Sequence, residues 1–223
     1  MIFDHRMYTC RPGSVSRQFE LYETYGREAQ IDCLGGEPLF YGQTETGALN
    51  TFIHVWAYDS IGERAALRAK MAADPRWAEY VSQTFEHGYL VAQETRILQP
   101  APFFEYSRRP AGSGQHRPAI FDHRTYTCHP GKVGAELKTY QEIGYDPQIR
   151  HLGEPLLYAH SESGKLNSYT HIWVYDSPED RAAKRAAMSA DDGWKAFRRR
   201  SVEDGNRMFQ ETHIMTPAPF FRL

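Results

Sequence analysis

The chain has 223 residues, 41% of them hydrophobic and 13% aromatic, and a formal net charge of -2. That length suits one large domain or two small ones with packed cores, and the composition excludes a disordered chain. The near-neutral charge argues against a nucleic-acid partner, and neither a membrane-length apolar run nor a basic-plus-apolar leader is present, so the expected setting is the cytoplasm.

Residues 2–10, "IFDHRMYTC", alternate and are rich in aromatic and β-branched types, which predicts a strand. Pro12-Gly13 turns the chain. Val15, Phe19, Tyr22, Gly26, Ala29 and Cys33 then recur at spacings of three and four, one face of a helix that Gly35-Gly36 stops. Residues 39–44 and 51–58 read as a hairpin turning through Gly47. Ser60 and Glu63 spell a capping box for a second helix, which Asp74-Pro75 breaks and restarts. Trp77, Tyr80, Val81 and Phe85 are expected to point inward from its second part. Gly88 ends it, and residues 89–98 form a last strand closed by Pro100-Ala101-Pro102.

The same order then repeats. "IFDHRTYTC" returns at Ile120, "HVWAYDS" (His54 onward) answers "HIWVYDS" (His171 onward), and "MAADPRW" answers "MSADDGW". "QETRILQPAPFF" answers "QETHIMTPAPFF" near the end of each half. Residues 1–104 and 120–223 are thus two copies of one module, joined by a linker at 105–119 rich in Pro, Gly, Ser and Arg. Each module reads β-α-β-β-α-β, the ferredoxin-like order of an α+β fold, with both helices on one face of a four-stranded antiparallel sheet. Two bare faces in one chain invite closure into a barrel. Along residues 52–58, Phe52, His54, Trp56 and Tyr58 alternate with Ile53, Val55 and Ala57. The aromatic set is expected inside that barrel and the aliphatic set beneath the helices.

Chemistry is expected on the aromatic face. His54 and His171, one per copy, are the candidate catalytic residues, since an imidazole titrates near neutrality and serves as acid or base. Their structural reading is a hydrogen bond that fixes a strand seam. Arg6 with Tyr8, and Arg124 with Tyr126, share the alternate face of the first strand of each copy and suit a substrate carboxylate or oxyanion. Their structural reading is an ion pair with Glu94 or Glu211. Tyr41, Trp56, Tyr158 and Trp173 read as walls of a ligand site. Arg96 becomes His213 between the copies, Arg11 becomes His129, Gln43 becomes His160 and Cys33 becomes His151. Such changes make the two ends of a shared cavity unlike, so that one half keeps a working site while the other supplies walls; the alternative is drift after duplication. Cys10, Cys33 and Cys128 form neither a disulfide framework nor a zinc pattern, and no metal-ligand spacing is present, although His123 and His171 could meet in space.

On "RMYTCRPG" and "RTYTCHPG", "HVWAYDS" and "HIWVYDS", "MAADPRW" and the closing "ETRILQPAPFF", the chain resembles the NIPSNAP family of the dimeric α+β barrel superfamily. The resemblance covers nearly all of both halves and leaves out the linker. It implies that the pair of domains the family usually assembles from two chains is carried here in cis, around a central cavity. It leaves the activity open. Bacterial members are mostly uncharacterised and mitochondrial relatives are linked to membrane-associated trafficking and quality control. The wider superfamily includes cofactor-independent monooxygenases, isomerases and lyases, and haem-binding enzymes.

The leading expectation is a barrel enclosing a small apolar or aromatic ligand, with cofactor-independent proton transfer or oxygenation at His54 or His171. The rival is a non-catalytic binding or interaction module whose barrel interior is packed core. A third reading has a facing histidine ligating haem. No nucleic acid and no membrane span are expected as partners, and the pseudo-dimeric chain could pair again as a homodimer.

Overall fold

A computed structural model describes residues 1–223. The first half runs β1 (Ile2–Cys10), α1 (Val15–Leu21), a π-helical turn (Tyr22–Gly26), α2 (Arg27–Leu34), β2 (Phe40–Thr44), β3 (Thr51–Tyr58), α3 (Ile61–Ala72), α4 (Pro75–His87) and β4 (Leu90–Pro100). The second half repeats it as β5 (Ile120–Cys128), α5 (Val133–Thr139), a π-helical turn (Tyr140–Gly144), α6 (Tyr145–Leu152), β6 (Leu157–Ser161), β7 (Ser168–Tyr175), α7 (Pro178–Ala190), α8 (Asp192–Asp204) and β8 (Arg207–Pro217).

Local chemistry sets these boundaries. Ser60 accepts the Glu63 N–H at 3.1 Å, while the Glu63 carboxylate accepts from Asp59 N–H, one residue earlier than a strict capping box. Asp74 caps α4 by accepting the Arg76 N–H at 2.8 Å, with Pro75 in the first turn. Gly35 ends α2 at φ 78°, a left-handed conformation that glycine adopts without strain. Each π-helical turn ends in a glycine that packing requires. A Cβ on Gly26 would lie 2.7 Å from Cγ of Tyr80, and one on Gly144 would lie 2.7 Å from Cγ of Phe197. The bare backbone lets an aromatic ring from α4 or α8 press against the helix opposite.

The eight antiparallel strands close into a single barrel in the order β1-β3-β2-β8-β5-β7-β6-β4. Each half supplies four consecutive strands, and the seams are β2 with β8 (Gly42 opposite Pro217) and β4 with β6 (Leu98 opposite Ser161). Closure removes every sheet edge. Residues 105–119 do not hang loose. Arg109 donates to the carbonyls of Arg222 (2.7 Å) and Pro38, and Gln115 N–H donates to Leu223 C=O at 2.8 Å.

The barrel interior is filled. Phe3, Phe40, Val55, Leu98, Phe121, Leu157, Ile172 and Met215 are wholly buried there, and Phe40 from one half meets Phe121 from the other at 4.8 Å between ring centres. His5 and His123 meet at the same level, Nε2 to Nε2, at 2.9 Å. His123 therefore pairs with His5 and not with His171, which lies on the opposite face of the sheet.

This inverts the expected facing of the sheets. Ile53, Val55 and Ala57 look into the barrel, whereas Phe52, His54, Trp56 and Tyr58 lie on the outside beneath the helices. Phe52 packs on Phe19 of α1, and Trp56 and Tyr58 pack with Ile31, Leu34 and Met71. The physical reason is room. An eight-stranded barrel is just wide enough for side chains to fill, and once Phe3, Phe40, Phe121 and the His5–His123 pair are inside, β3 and β7 have room to add only aliphatics such as Val55 and Ile172. Large rings fit the deeper gap between sheet and helix, where the Trp56 and Trp173 indoles reach His54 and His171.

Candidate functional site

β3 and β1 carry the centre of the site on the helix-covered face. His54 stands opposite Arg6 in the antiparallel register, and Phe52 opposite Tyr8. The His54 ring is held on three sides. Tyr41 stacks on it at 4.9 Å and 12°, Tyr8 meets it edge-on at 5.0 Å and 90°, and the Trp56 indole donates to its Nδ1 at 2.8 Å.

That last bond decides the protonation of the ring. An indole nitrogen only donates, so Nδ1 of His54 carries the lone pair. Burial, reinforced by the nearby Arg6 guanidinium, pushes the imidazole pKa down to about 3, so the ring is neutral at ordinary pH. Its single proton therefore sits on Nε2. His54 presents an N–H donor and not a basic lone pair. His171 is built the same way, with Trp173 donating to its Nδ1 at 2.7 Å. The same tautomer does not fit a haem ligand: freeing Nε2 for iron would move the proton to Nδ1, against the Trp56 N–H.

Beside His54 lies a cluster whose acidic member sequence reasoning passed over. Asp4 is fully buried on β1, with Arg64 Nε at 2.8 Å, the Thr95 hydroxyl donating at 2.6 Å, and Arg6 and Arg68 each at 3.8 Å. Burial pushes the carboxyl upward, but the Thr95 hydrogen bond and the Arg6 and Arg64 charges outweigh it and hold the carboxyl below its ordinary value. Asp122 repeats the arrangement with Arg124 (3.1 Å), Arg181 (3.0 Å), Arg185 (3.3 Å) and Thr212 (2.7 Å). The expected partners of Arg6 and Arg124, Glu94 and Glu211, are elsewhere. Glu94 stands opposite Met7 on the other face of β4, and Glu211 takes Lys165. A readable signal existed: an Arg-x-x-x-Arg pair on one helix face at Arg64/Arg68 and again at Arg181/Arg185.

Between this wall and the helices of the first half lies a cavity of about 540 Å³. Arg6, Tyr8, Tyr41 and His54 form its floor, and Tyr22, Arg68, Trp77 and Tyr80 form its roof. Val81 and Phe85, expected inward, stand at its mouth and are 50% and 89% exposed. The matching space in the second half is about 40 Å³. The larger of these two matching spaces thus lies outside the barrel and in one half, not in a central cavity shared by both.

Two substitutions account for the difference. Where the first half has Gln18 and Leu90, the second has Glu136 and Arg207. Arg207 Nε lies 3.2 Å from the fully buried Glu136 carboxylate, which also accepts from Ser201 (3.1 Å) and Tyr169 (3.4 Å). The Arg207 guanidinium spreads over the rings of Tyr126 (5.7 Å) and Phe197 (5.9 Å), filling the space. In the first half Leu90 is too short to do this, and Gln18 turns to the Tyr80 hydroxyl at 2.9 Å.

Of the residues singled out from sequence, Arg6, Tyr8, Tyr41 and His54 come together around the large cavity, and Arg124, Tyr126, Tyr158 and His171 around its remnant. Trp56 and Trp173 stand behind their histidines as donors. Arg96 and His213 lie apart, on the barrel-facing side: Arg96 is opposite His5, and His213 is opposite His123 with ring centres 6.0 Å apart.

The NIPSNAP family model matches residues 3–105 and again residues 121–222. The human protein NipSnap homolog 3B is 22% identical over 98% of this chain and 84% of its own. A protein from Agrobacterium tumefaciens of known structure is 31% identical; it covers 48% of this chain and 100% of its own, with a TM-score of 0.45. A protein from Lactobacillus acidophilus, named as a candidate monooxygenase, is 11% identical and has a TM-score of 0.62 over 100% of this chain and 98% of its own. The likeness to the last shows a shared fold alone. No helix of the chain is long and apolar enough to cross a membrane.

Proposed function

The chain belongs to the NIPSNAP family, and from that premise and the geometry above we propose that it binds one small, ring-bearing organic molecule per chain, in the cavity of its first half. The observation that carries this reading is the contrast of 540 Å³ with 40 Å³ between two copies of one module. A volume of that size lies within the range of small-molecule sites and is walled by aromatic rings with a few convergent polar groups.

His54 acts there as a hydrogen-bond donor. Its Nε2–H, fixed by Trp56 and clamped between Tyr41 and Tyr8, stabilises negative charge developing on a ligand oxygen. That supports cofactor-independent chemistry of the isomerase, lyase or monooxygenase type in which the chain holds an enolate or phenolate that the ligand brings already ionised. His171 keeps the same bond from Trp173 but faces the filled space, so it is a structural counterpart.

The test uses N-phenyl-1-naphthylamine, an uncharged fluorescent ring compound. The wild-type chain should bind it saturably at one site. Gln18→Glu with Leu90→Arg, which transplants the second-half pair into the first, should abolish that site while the protein stays folded. Undiminished binding by the folded double variant would overturn the assignment.

A further inference from the structure

The first-half cavity carries positive charge that its own residues leave uncompensated. Arg6, Arg11 and Arg68 line it, and no Asp or Glu does. The nearby carboxylate, Asp4, lies fully buried behind the wall and is already engaged by Arg64 at 2.8 Å and Thr95 at 2.6 Å. Arg6 Nε and Arg68 Nη1 stand 3.8 Å from it, beyond hydrogen-bond reach, and these two buried nitrogens have no partner.

The second half engages the corresponding side chains further. Arg124 Nε, 3.1 Å from Asp122, also lacks a hydrogen-bond partner, but its Nη1 donates to the Tyr126 hydroxyl at 2.9 Å, and Arg185 Nη1 donates to Asp122 at 3.3 Å. The contrast lies in Arg68, unmet where its counterpart Arg185 is bonded, and in the open space beside Arg6 and Arg68. A buried N–H without an acceptor is costly, and a guanidinium beside a carboxylate makes one of the stronger hydrogen-bonded pairs in proteins. On the same floor, directly across the strand pair from Arg6, His54 adds its Nε2–H. Burial is the main cause of the depressed pKa of His54, and the Arg6 and Arg68 charges add to it.

We propose that the ligand of this cavity is an organic anion, a ring-bearing body with a carboxylate or similarly charged oxygen group that Arg6 and Arg68 hold while His54 bonds an oxygen beside it. This deepens, and rests on, the assignment of the cavity as the ligand site. The apolar body lies among Tyr41, Trp77 and Tyr80, and Arg11 at the mouth draws anions in.

Two fluorescent probes separate this claim from the one beneath it. 8-Anilinonaphthalene-1-sulfonate and N-phenyl-1-naphthylamine share one ring body and differ by the sulfonate. Both should bind one site and compete, the sulfonate about tenfold more tightly. Raising salt from about 0.05 M to about 0.5 M should weaken the sulfonate alone. Arg68→Met should lower sulfonate affinity about tenfold and leave the neutral probe within about twofold; Arg68→Lys should keep much of the preference. Asp4 retains Arg64 and Thr95 in both variants, and neutral-probe binding reports that the cavity is intact. Equal or weaker binding of the sulfonate, with the neutral probe still bound, overturns the anion assignment and leaves the cavity assignment standing. Failure of both probes to find a single saturable site overturns both.

Discussion

Arg207→Leu is the perturbation that most sharply probes why the two halves differ. Glu136 is fully buried, and Arg207 Nε at 3.2 Å supplies its counter-charge. Removing one member of a buried pair leaves an uncompensated charge and costs about 3–5 kcal/mol. Ser201 and Tyr169 still donate to the carboxylate, so a value near the lower end, about 3 kcal/mol, is expected. For a chain of this size that corresponds to a fall in Tm of about 6–12 °C. Glu136→Gln together with Arg207→Leu recreates the residues of the first half, where the fold tolerates an open space, and should cost less than about 1.5 kcal/mol. Glu136→Gln alone should cost at least about 0.5 kcal/mol, because Arg207 then loses its counter-charge, so the coupling in favour of the pair is at least about 2 kcal/mol and is readable in a double-mutant cycle by urea denaturation. The double variant should also raise the stoichiometry of N-phenyl-1-naphthylamine from one towards two. A cost below about 1 kcal/mol for Arg207→Leu, or no coupling in the cycle, would refute the view that this pair closes the second site.

Three further outcomes follow from the structure. Burial pushes the pKa of His5 and His54 down to about 3, and those of His123 and His171 also well below their ordinary value, so the unfolded chain takes up their protons first as pH falls. Stability should be level above about pH 6.5 and drop below it by about 1.4 kcal/mol per pH unit for each histidine; equal urea midpoints at pH 7.5 and 5.5 would contradict this. Gly26→Ala and Gly144→Ala should each cost about 1–3 kcal/mol through contact with Tyr80 and Phe197, but only the first should weaken probe binding, because Tyr80 lines the open cavity. In nitrogen-15 spectra His54 should show the Nε2–H tautomer alone across neutral pH, and Trp56→Phe should release a mixture; an unchanged spectrum in the variant would remove the basis for calling His54 a fixed donor.

Much of the fold was legible because it depends on local chemistry repeated twice. The alternation of residues 2–10, the helical face running from Val15 to Cys33, the Ser60 cap, the break at Asp74-Pro75 and the stop at Gly35 all reflect neighbours within a few positions. Alternation along β3 separates two faces but does not say which one the helices cover, since both are buried in a closed barrel. The larger set of rings was therefore assigned to the barrel when it belongs beneath the helices. The Asp4 cluster was hidden for another reason. Its members lie 60 to 91 residues apart from Asp4 at Arg64 and Thr95, and no spacing rule reaches that far. The asymmetry was half legible. Cys33 and His151 both reach the equivalent aspartate, Asp74 or Asp191, so that conspicuous change alters little. The decisive change is a pair, Gln18 with Leu90 becoming Glu136 with Arg207. Two opposite charges gained together are a signal of contact that single-position comparison overlooks.

A crystal structure of the wild-type chain with bound N-phenyl-1-naphthylamine tests the location of the site most directly. One molecule per chain should lie between the outer face of the first-half sheet and α1 to α4, within reach of His54 Nε2, with the second half empty of probe. Probe inside the barrel beside His5 and His123, or equally in both halves, would contradict the site described above.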